Sequence, residues 1–332
     1  MLIGHTAGFA WGASDAPMAG NNWTARTSAG SRTWFRVASS ADGQKLAAIV
    51  SDNANGAYLY TSADGGATWV ERTAAGLRAW RDVDMSDDGQ TIAACADYDY
   101  IVTSADGGVT WVERTSAGSR GWRAIAASGD GQKLVASTTD ATESYVYTSA
   151  DAGATWVSRP GVGSNYWSTL GMSGDGQTVV VGKGLGLGTG IVRISLDGGA
   201  TWATATGLGT RAWADFALSA DGQRIVAAAG YASTGYLYTS ADRGTTWTER
   251  TAPGLRSWFA AEVSADGQRI AACGDNNASN GAGPMVLSGD GGATWATATS
   301  AGTRNWRGIA GSADLSVIAA SVTGGAIYTS TS

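Results

Sequence analysis

One motif, S-x-D-x-G-x-T-W, begins at Ser62, Ser104, Ser149, Ser195, Ser240 and Ser288, and its recurrence governs what the chain can fold into. Each copy ends in a tryptophan. With Trp23 the series runs 23, 69, 111, 156, 202, 247 and 295, a period of 42 to 48 residues. A second tryptophan follows 11 residues later every time: Trp34, Trp80, Trp122, Trp167, Trp213, Trp258 and Trp306. Ten residues beyond it comes a D-G-Q turn, with Gln44, Gln90, Gln132, Gln177, Gln223 and Gln268 in register and Ser316 as a degenerate seventh. The 332 residues therefore read as seven copies of one unit rather than as two average domains.

Between these landmarks the pattern alternates, as in Trp80, Val83 and Met85 set against Asp82 and Asp84, which argues for strands and against helices. Each unit reads as strand A (Trp34 to Ser39), a D-G turn, strand B (Lys45 to Val50), a loop, strand C (Tyr58 to Thr61), the S-x-D turn and strand D (Thr68 to Thr73). Four short antiparallel strands per unit, seven times over, describe an all-β chain, a seven-bladed β-propeller whose radial repetition protects its sheet edges. After Trp306 the chain supplies strands A, B and C (Ala326 to Ser330), while residues 21–27 (NNWTART) resemble strand D, so pairing the two ends closes the seventh blade. On this reading 1–332 is a single propeller domain with an extension over residues 1–20 that lies against the closing strands. Gly8 to Trp11 also resembles a strand C and competes for that place.

Composition agrees. Forty-nine Gly, 15 Trp and 4 Pro with 43% hydrophobic residues describe a turn-rich, aromatic-rich globular protein. A net charge of −6, with three Lys among 22 basic residues, disfavours wrapping nucleic acid by counterion release. No membrane span or charged leader is legible, and a soluble monomer is expected. Cys95 and Cys273 occupy the same strand B position in units 2 and 6, which are not neighbours, so both are expected as small core residues and not as a disulfide or a metal pair.

The S-x-D-x-G-x-T-W repeat resembles the Asp-box, the signature of sialidases, xyloglucanase-type hydrolases, sortilin-type receptors and photosystem II assembly-factor propellers. The resemblance covers the chain after residue 20. It implies that Asp64, Asp106, Asp151, Asp197, Asp242 and Asp290 cap the turn between strands C and D and that the following Trp tucks into the blade. Turn-amide acceptance by Asp64, positive φ at Gly65 and Gly66, and the large apolar area of Trp69 fit that role. Because enzymes and binders share the box, it carries no activity by itself. The sialidase apparatus is not recognisable: there is no Arg-Ile-Pro stretch and only five Glu, and Ser62 to Arg81 matches Ser104 to Arg123 at 16 of 20 positions.

The strongest polar regularity is an arginine two residues before the second Trp: Arg32, Arg78, Arg120, Arg211, Arg256 and Arg304, with Asn165 interrupting it in unit 4. This row is expected on the face opposite the Asp-boxes, near the central opening. Joined by Arg36, Arg81, Arg123 and Arg307, it would bind carboxylates, sulfates or an acidic partner segment through forked hydrogen bonds. The competing reading has each guanidinium stacked on a Trp and bonded to loop carbonyls. Strand A contributes Asp82, Asp84, Asp215 and Glu262, either as channel linings paired with arginines or as the acid and base of a glycosidase.

All length variation between units falls between the Gln and the next Asp-box Ser, at spacings of 18, 14, 17, 18, 17, 20 and 14, which isolates the B-to-C loops as the variable surface. The longest, Gly274 to Pro284, offers Asp275, Asn276 and Asn277; other loops offer Asp52, Asn53, Asp97, Asp99, Asp140 and Glu143, as sugar or weak Ca²⁺ ligands or as ordinary turn formers. The lone His5 has no triad or zinc partner at motif spacing, and the run Gly182 to Gly190 lacks the helix a phosphate loop needs. No cofactor or metal is called for. The expectation is a non-catalytic binding or scaffold propeller recognising a protein partner or anionic ligand through an arginine-rich face. A multivalent glycan-binding lectin is the alternative, and a glycoside hydrolase a more distant one.

Overall fold

The computed structural model of the chain describes residues 18–51, 56–140, 144–184, 190–230, 234–275 and 282–332. His5, the Gly8 to Trp11 stretch, Asp52, Asn53, Glu143, Asn276, Asn277 and the centre of the Gly182 to Gly190 run lie outside them.

The regular structure is strand, grouped in antiparallel sets of four. In the first set Arg32–Ser39, Leu46–Val50, Leu59–Ser62 and Val70–Arg72 pair in chain order, with Trp34 opposite Val50, Leu46 opposite Ser62 and Leu59 opposite Arg72. The same order recurs from the inner strands Trp80–Met85, Arg120–Ala127, Thr169–Met172, Trp213–Leu218 and Ser257–Val263. The remaining set draws on both ends of the chain. Trp306–Gly311, Val317–Gly325 and Ile327–Thr331 pair in order, and Trp23–Arg26 then adds to the last of them with Trp23 opposite Ser330 and Arg26 opposite Ile327. The fourth strand is shorter than the sequence suggests. The residues after Arg72 turn into a single 3-10 turn, Thr73–Ala75, closed by the Gly76 amide on the Thr73 carbonyl at 3.0 Å.

The core lies between sheets. Ile49 and Leu59 of one set pack with Trp80, Val83 and Met85 of the next, and Trp34, Val37 and Leu46 pack with Ala319 and Ile327 of the set that precedes them in cyclic order. Every inner tryptophan is at most 1% exposed, wedged at one of these junctions. Small residues such as Ala47, Ala48, Ala93 and Ala94 on the second strands let the indoles seat against flat backbone.

A girdle of main-chain hydrogen bonds joins the sets at their first turns. The Ala41 amide donates to the Asp87 carbonyl (2.8 Å), Asp87 to Gly129 (2.8 Å), Gly129 to Gly174 (2.8 Å), Asp175 to Ala220 (3.0 Å), Ala220 to Ala265 (3.0 Å), Ala265 to Ala313 (2.7 Å), and Ala313 back to Ala41 (2.8 Å). Inner strands touch in the same cyclic order.

Loop length adds a second tie. The two units with the shortest spacing of 14 form tight hairpins whose second strands, Ile92–Asp99 and Val317–Gly325, run on and pair with the next inner strand, Asp99 opposite Arg120 and Gly325 opposite Arg32. At the N-terminal side Met18 and Ala19 are buried against the last set, the Ala19 amide bonding the Leu315 carbonyl at 3.1 Å. Among the described residues no helix is long and apolar enough to cross a membrane.

Trp122 is fully buried and meets Tyr147 edge-on at 5.2 Å. Trp122→Ala is expected to lower the unfolding free energy by about 3–5 kcal/mol. Urea denaturation followed by circular dichroism checks this, and a loss below ~1 kcal/mol would contradict the wedge.

Candidate functional site

The S-x-D turns are self-contained. Asp64 accepts the Thr68 amide at 2.8 Å, the Thr68 hydroxyl at 2.6 Å and the Ser62 hydroxyl at 2.8 Å, while the Trp69 indole N–H donates to the Gly66 carbonyl at 3.0 Å. Gly65 and Gly66 take positive φ (62° and 83°) to bring those amides round. Asp106, Asp151, Asp197, Asp242 and Asp290 repeat the arrangement with Thr110, Thr155, Thr201, Thr246 and Thr294. Hydrogen bonds from the threonine hydroxyl and amide hold the carboxyls of Asp106 and Asp197 down at about 2. All six carboxylates are engaged within their own turns.

The arginine row sits at the seams between sheets. The backbone of Arg78 bridges Ala57 of the preceding unit, and Arg256 and Arg304 bridge Gly235 and Gly283. The side chains turn outward over the third strands. The guanidinium lies over Tyr60 for Arg32 (4.8 Å), Tyr147 for Arg120 (4.9 Å), Tyr238 for Arg211 (4.9 Å) and Tyr328 for Arg304 (4.3 Å). Nε donates to the carbonyl three residues back in Arg32, Arg78 and Arg120 (2.9 Å each), Arg211 (3.2 Å) and Arg256 (3.0 Å). In unit 2, where Val102 replaces the tyrosine, Arg78 pairs instead with Asp99 at 2.6 Å and with Glu113. Among the described residues, none of the six lines the central cavity, which departs from the position expected for them near the opening.

The groups that do reach the channel are delivered by a β-bulge. The register against the second strand slips directly after the inner tryptophan, between Trp34 and Arg36, Trp80 and Asp82, Trp122 and Ala124, Trp213 and Asp215, Trp258 and Ala260, and Trp306 and Gly308. A bulge re-aims side chains, so Arg81 and Asp82, adjacent in sequence, both line channel space. The constriction at one end is lined by Phe35, Arg36, Arg81, Arg123, Ser168 and Ala214. On the same tier Arg307 stacks over Phe259 at 4.0 Å. Arg81 bonds Asp97 at 2.5 Å, and Arg36 stands 3.9 Å from Asp82.

Below that constriction lies a cavity of about 280 Å³ lined by Asp82, Asp84, Asp215 and Glu262. These carboxylates staple neighbouring inner strands. Asp82 accepts the Ile125 amide at 3.0 Å, Asp84 the Ala127 amide at 2.8 Å, and Asp215 the Ala261 amide at 3.0 Å. Burial pushes Asp82 up to about 6, against the opposing charge of Arg36, and Asp84 up to about 7. Glu262 rises to about 8 through burial, with Asp215 and Asp84 adding repulsion. Asp215 is raised too, again by burial. Buried, unoxidised Cys95 and Cys273 have thiols pushed upward by burial, and among the described residues no group of three His, Cys, Asp or Glu is placed to hold a metal ion.

No protein-family model matches the chain, and no curated protein matches it in sequence. Among solved structures the chain is similar to YCF48 bound to D1 peptide, at 16% identity over 98% of this chain and 99% of that one, with a TM-score of 0.68. YCF48 from Cyanidioschyzon merolae matches at 14% identity over 93% and 98%, with a TM-score of 0.68. The GH74 xyloglucanase from Xanthomonas campestris matches at 17% identity over 92% of this chain and 53% of that one, also at 0.68. The chain thus spans about half the length of that xyloglucanase. These likenesses define the fold: an all-β propeller of four-stranded antiparallel sheets.

The raised carboxyls give a signed pH dependence. A group whose folded pKa exceeds its unfolded one holds its proton more tightly when folded, so stability is fully present below the unfolded value and is lost as pH rises through the folded value. The melting temperature should therefore fall between about pH 4 and about pH 8, the span of the Asp84 and Glu262 shifts. In Asp84→Asn/Glu262→Gln that slope should flatten. Differential scanning calorimetry across the range decides it, and an unaltered slope in the double variant would count against the buried pair.

Proposed function

We propose that the chain closes as one seven-bladed propeller domain of Asp-box type, the last blade completed by Trp23–Arg26. In this reading it works as a monomeric, non-catalytic binding or scaffolding module, without a cofactor, that takes an anionic segment of a protein partner at the mouth of its channel. The observation that carries the reading is the gathering of Arg36, Arg81 and Arg123 around the constriction, with Arg307 on the same tier. The bulge places guanidiniums, which bind carboxylates in forked pairs, where a narrow low-dielectric opening strengthens each contact. Further support comes from a propeller that this chain matches over nearly its full length, whose structure was solved with a peptide bound.

The six-arginine row takes a different role in this reading: it braces the seams, its guanidiniums turned away from the channel onto loop carbonyls, third-strand rings or acids. The channel carboxylates brace inner strands in the same way. A surface array of acidic peptides, sulfated glycans and neutral glycans separates the roles. Arg123→Ala/Arg307→Ala is expected to weaken binding of acidic peptides by about tenfold or more while the chain stays folded by circular dichroism. Arg120→Ala should instead lower the melting temperature by a few degrees, on the order expected for losing a half-buried charge-assisted contact, and leave binding near wild type. Acidic-peptide binding untouched in the mouth double variant would overturn the proposal.

A further inference from the structure

Among the described residues four other than glycine have positive φ: Tyr98 (54°), Ala152 (53°), Arg243 (56°) and Leu315 (51°). A side chain in that region costs backbone strain, so each occurrence calls for a return. Leu315 gives one, being fully buried in the core beside Trp306. Arg243 donates to the Asp221 carbonyl at 3.3 Å. Ala152 carries only a methyl group. Tyr98 returns nothing inside the chain: it is 77% exposed, and among the described residues its side chain makes no hydrogen bond, ion pair or ring contact.

The molecule contains its own control. Tyr98 forms the tip of the tight hairpin in unit 2, and unit 7 builds the same hairpin at the same spacing of 14. There the position belongs to Gly324, at φ 73°. The two tips are held alike: Ser119 Oγ donates to the Tyr98 carbonyl at 3.0 Å and Ser31 Oγ to the Gly324 carbonyl at 3.0 Å. Arg120 stands opposite Asp99 as Arg32 stands opposite Gly325. The architecture therefore asks for glycine, and glycine serves it without strain. In unit 2 an aromatic ring is held in the strained conformation by ion pairs on both sides, Asp97 with Arg81 at 2.5 Å and Asp99 with Arg78 at 2.6 Å.

We infer that Tyr98 is an aromatic anchor for the partner segment, stacking against an apolar side chain of an acidic polypeptide held at the channel mouth. The inference rests on the function proposed above. Its geometry is continuous with that site, because Arg81 lines the constriction and pairs with the residue next to Tyr98. Tyrosine and arginine are both enriched among the residues that dominate binding at interfaces, and the tyrosine ring buries large area at small entropic cost.

The test uses synthetic 12-residue acidic peptides that carry one Leu, Phe or Trp among aspartates, and the same peptides with Ala in its place, titrated by fluorescence anisotropy against the full chain. Wild type should prefer the apolar-bearing peptides by about tenfold. Tyr98→Gly, which installs the residue found in unit 7, should abolish that preference while leaving the Ala-peptide affinity and the melting temperature unchanged or the latter raised. Tyr98→Ala should abolish it as well. A preference that survives both substitutions overturns the anchor, and so does a melting temperature that drops in Tyr98→Gly, since the ring would then be structural. If the preference ignores Tyr98 while Arg123→Ala/Arg307→Ala weakens every acidic peptide, the anchor fails and the mouth stands. If no acidic peptide binds wild type, both readings fail together.

Discussion

Seven indoles wedged between neighbouring sheets set the terms for everything else in this molecule. Each inner tryptophan brings a large flat apolar surface to a junction where the opposing strand offers alanine backbone, as Trp80 meets the Ala47 and Ile49 strand. An indole buries enough area that a sheet of four short strands, marginal alone, becomes stable against its neighbour. The wedge also fixes the distance and tilt between sheets. That in turn fixes how close the inner strands approach, and so the width of the channel they enclose.

The channel's chemistry follows from a problem of unpaired backbone. The inner strand is an edge, and its outward amides need acceptors. Where Asp82, Asp84 and Asp215 face the channel, carboxylates of one unit supply acceptors for amides of the next, at 2.8 to 3.0 Å. Satisfying backbone this way places negative groups in a confined space and raises their pKa. The bulge, present after six of the seven indoles, adds a second layer, turning Arg81 and Arg123 toward the opening above those acids. A channel with guanidiniums at the constriction and proton-holding carboxyl groups below it thus arises from structural necessities, and the partner proposed here exploits only its outer layer.

Much of this architecture is legible in the chain itself. Periodic tryptophans and the D-G-Q turns give the units, the strand order and the variable loops. The bulge is a departure from the alternation read in the chain: Trp80, Val83 and Met85 share a face although 80 and 83 differ by an odd step, and only the register slip between Trp80 and Asp82 explains it. Arginine positions are visible but their direction is not, since the ring that Arg32 covers, Tyr60, lies 28 residues away on a third strand. The amide partners of Asp82 and Asp84 carry no sequence signal, being backbone atoms 43 residues on. Tyr98 leaves a faint trace: aligning the two hairpins of equal spacing sets it against Gly324, and that mismatch matters only once φ is known.

The main-chain girdle described for the first turns makes each unit resemble a subunit in a covalently linked cyclic oligomer. Every turn offers one donor to the unit ahead and one acceptor to the unit behind, a head-to-tail contact that closes upon itself at a particular copy number. No side chain is consulted, so Arg36, Asp82, Ala124, Thr169, Asp215, Ala260 and Gly308 stand at equivalent places with nothing in common. If the chain closes as proposed, gain or loss of one repeat would leave the contact between any two retained neighbours intact and still be ruinous. The rotation per unit would no longer sum to a full circle, and the last donor would find its acceptor on another molecule, turning a discrete ring into an open-ended fibre.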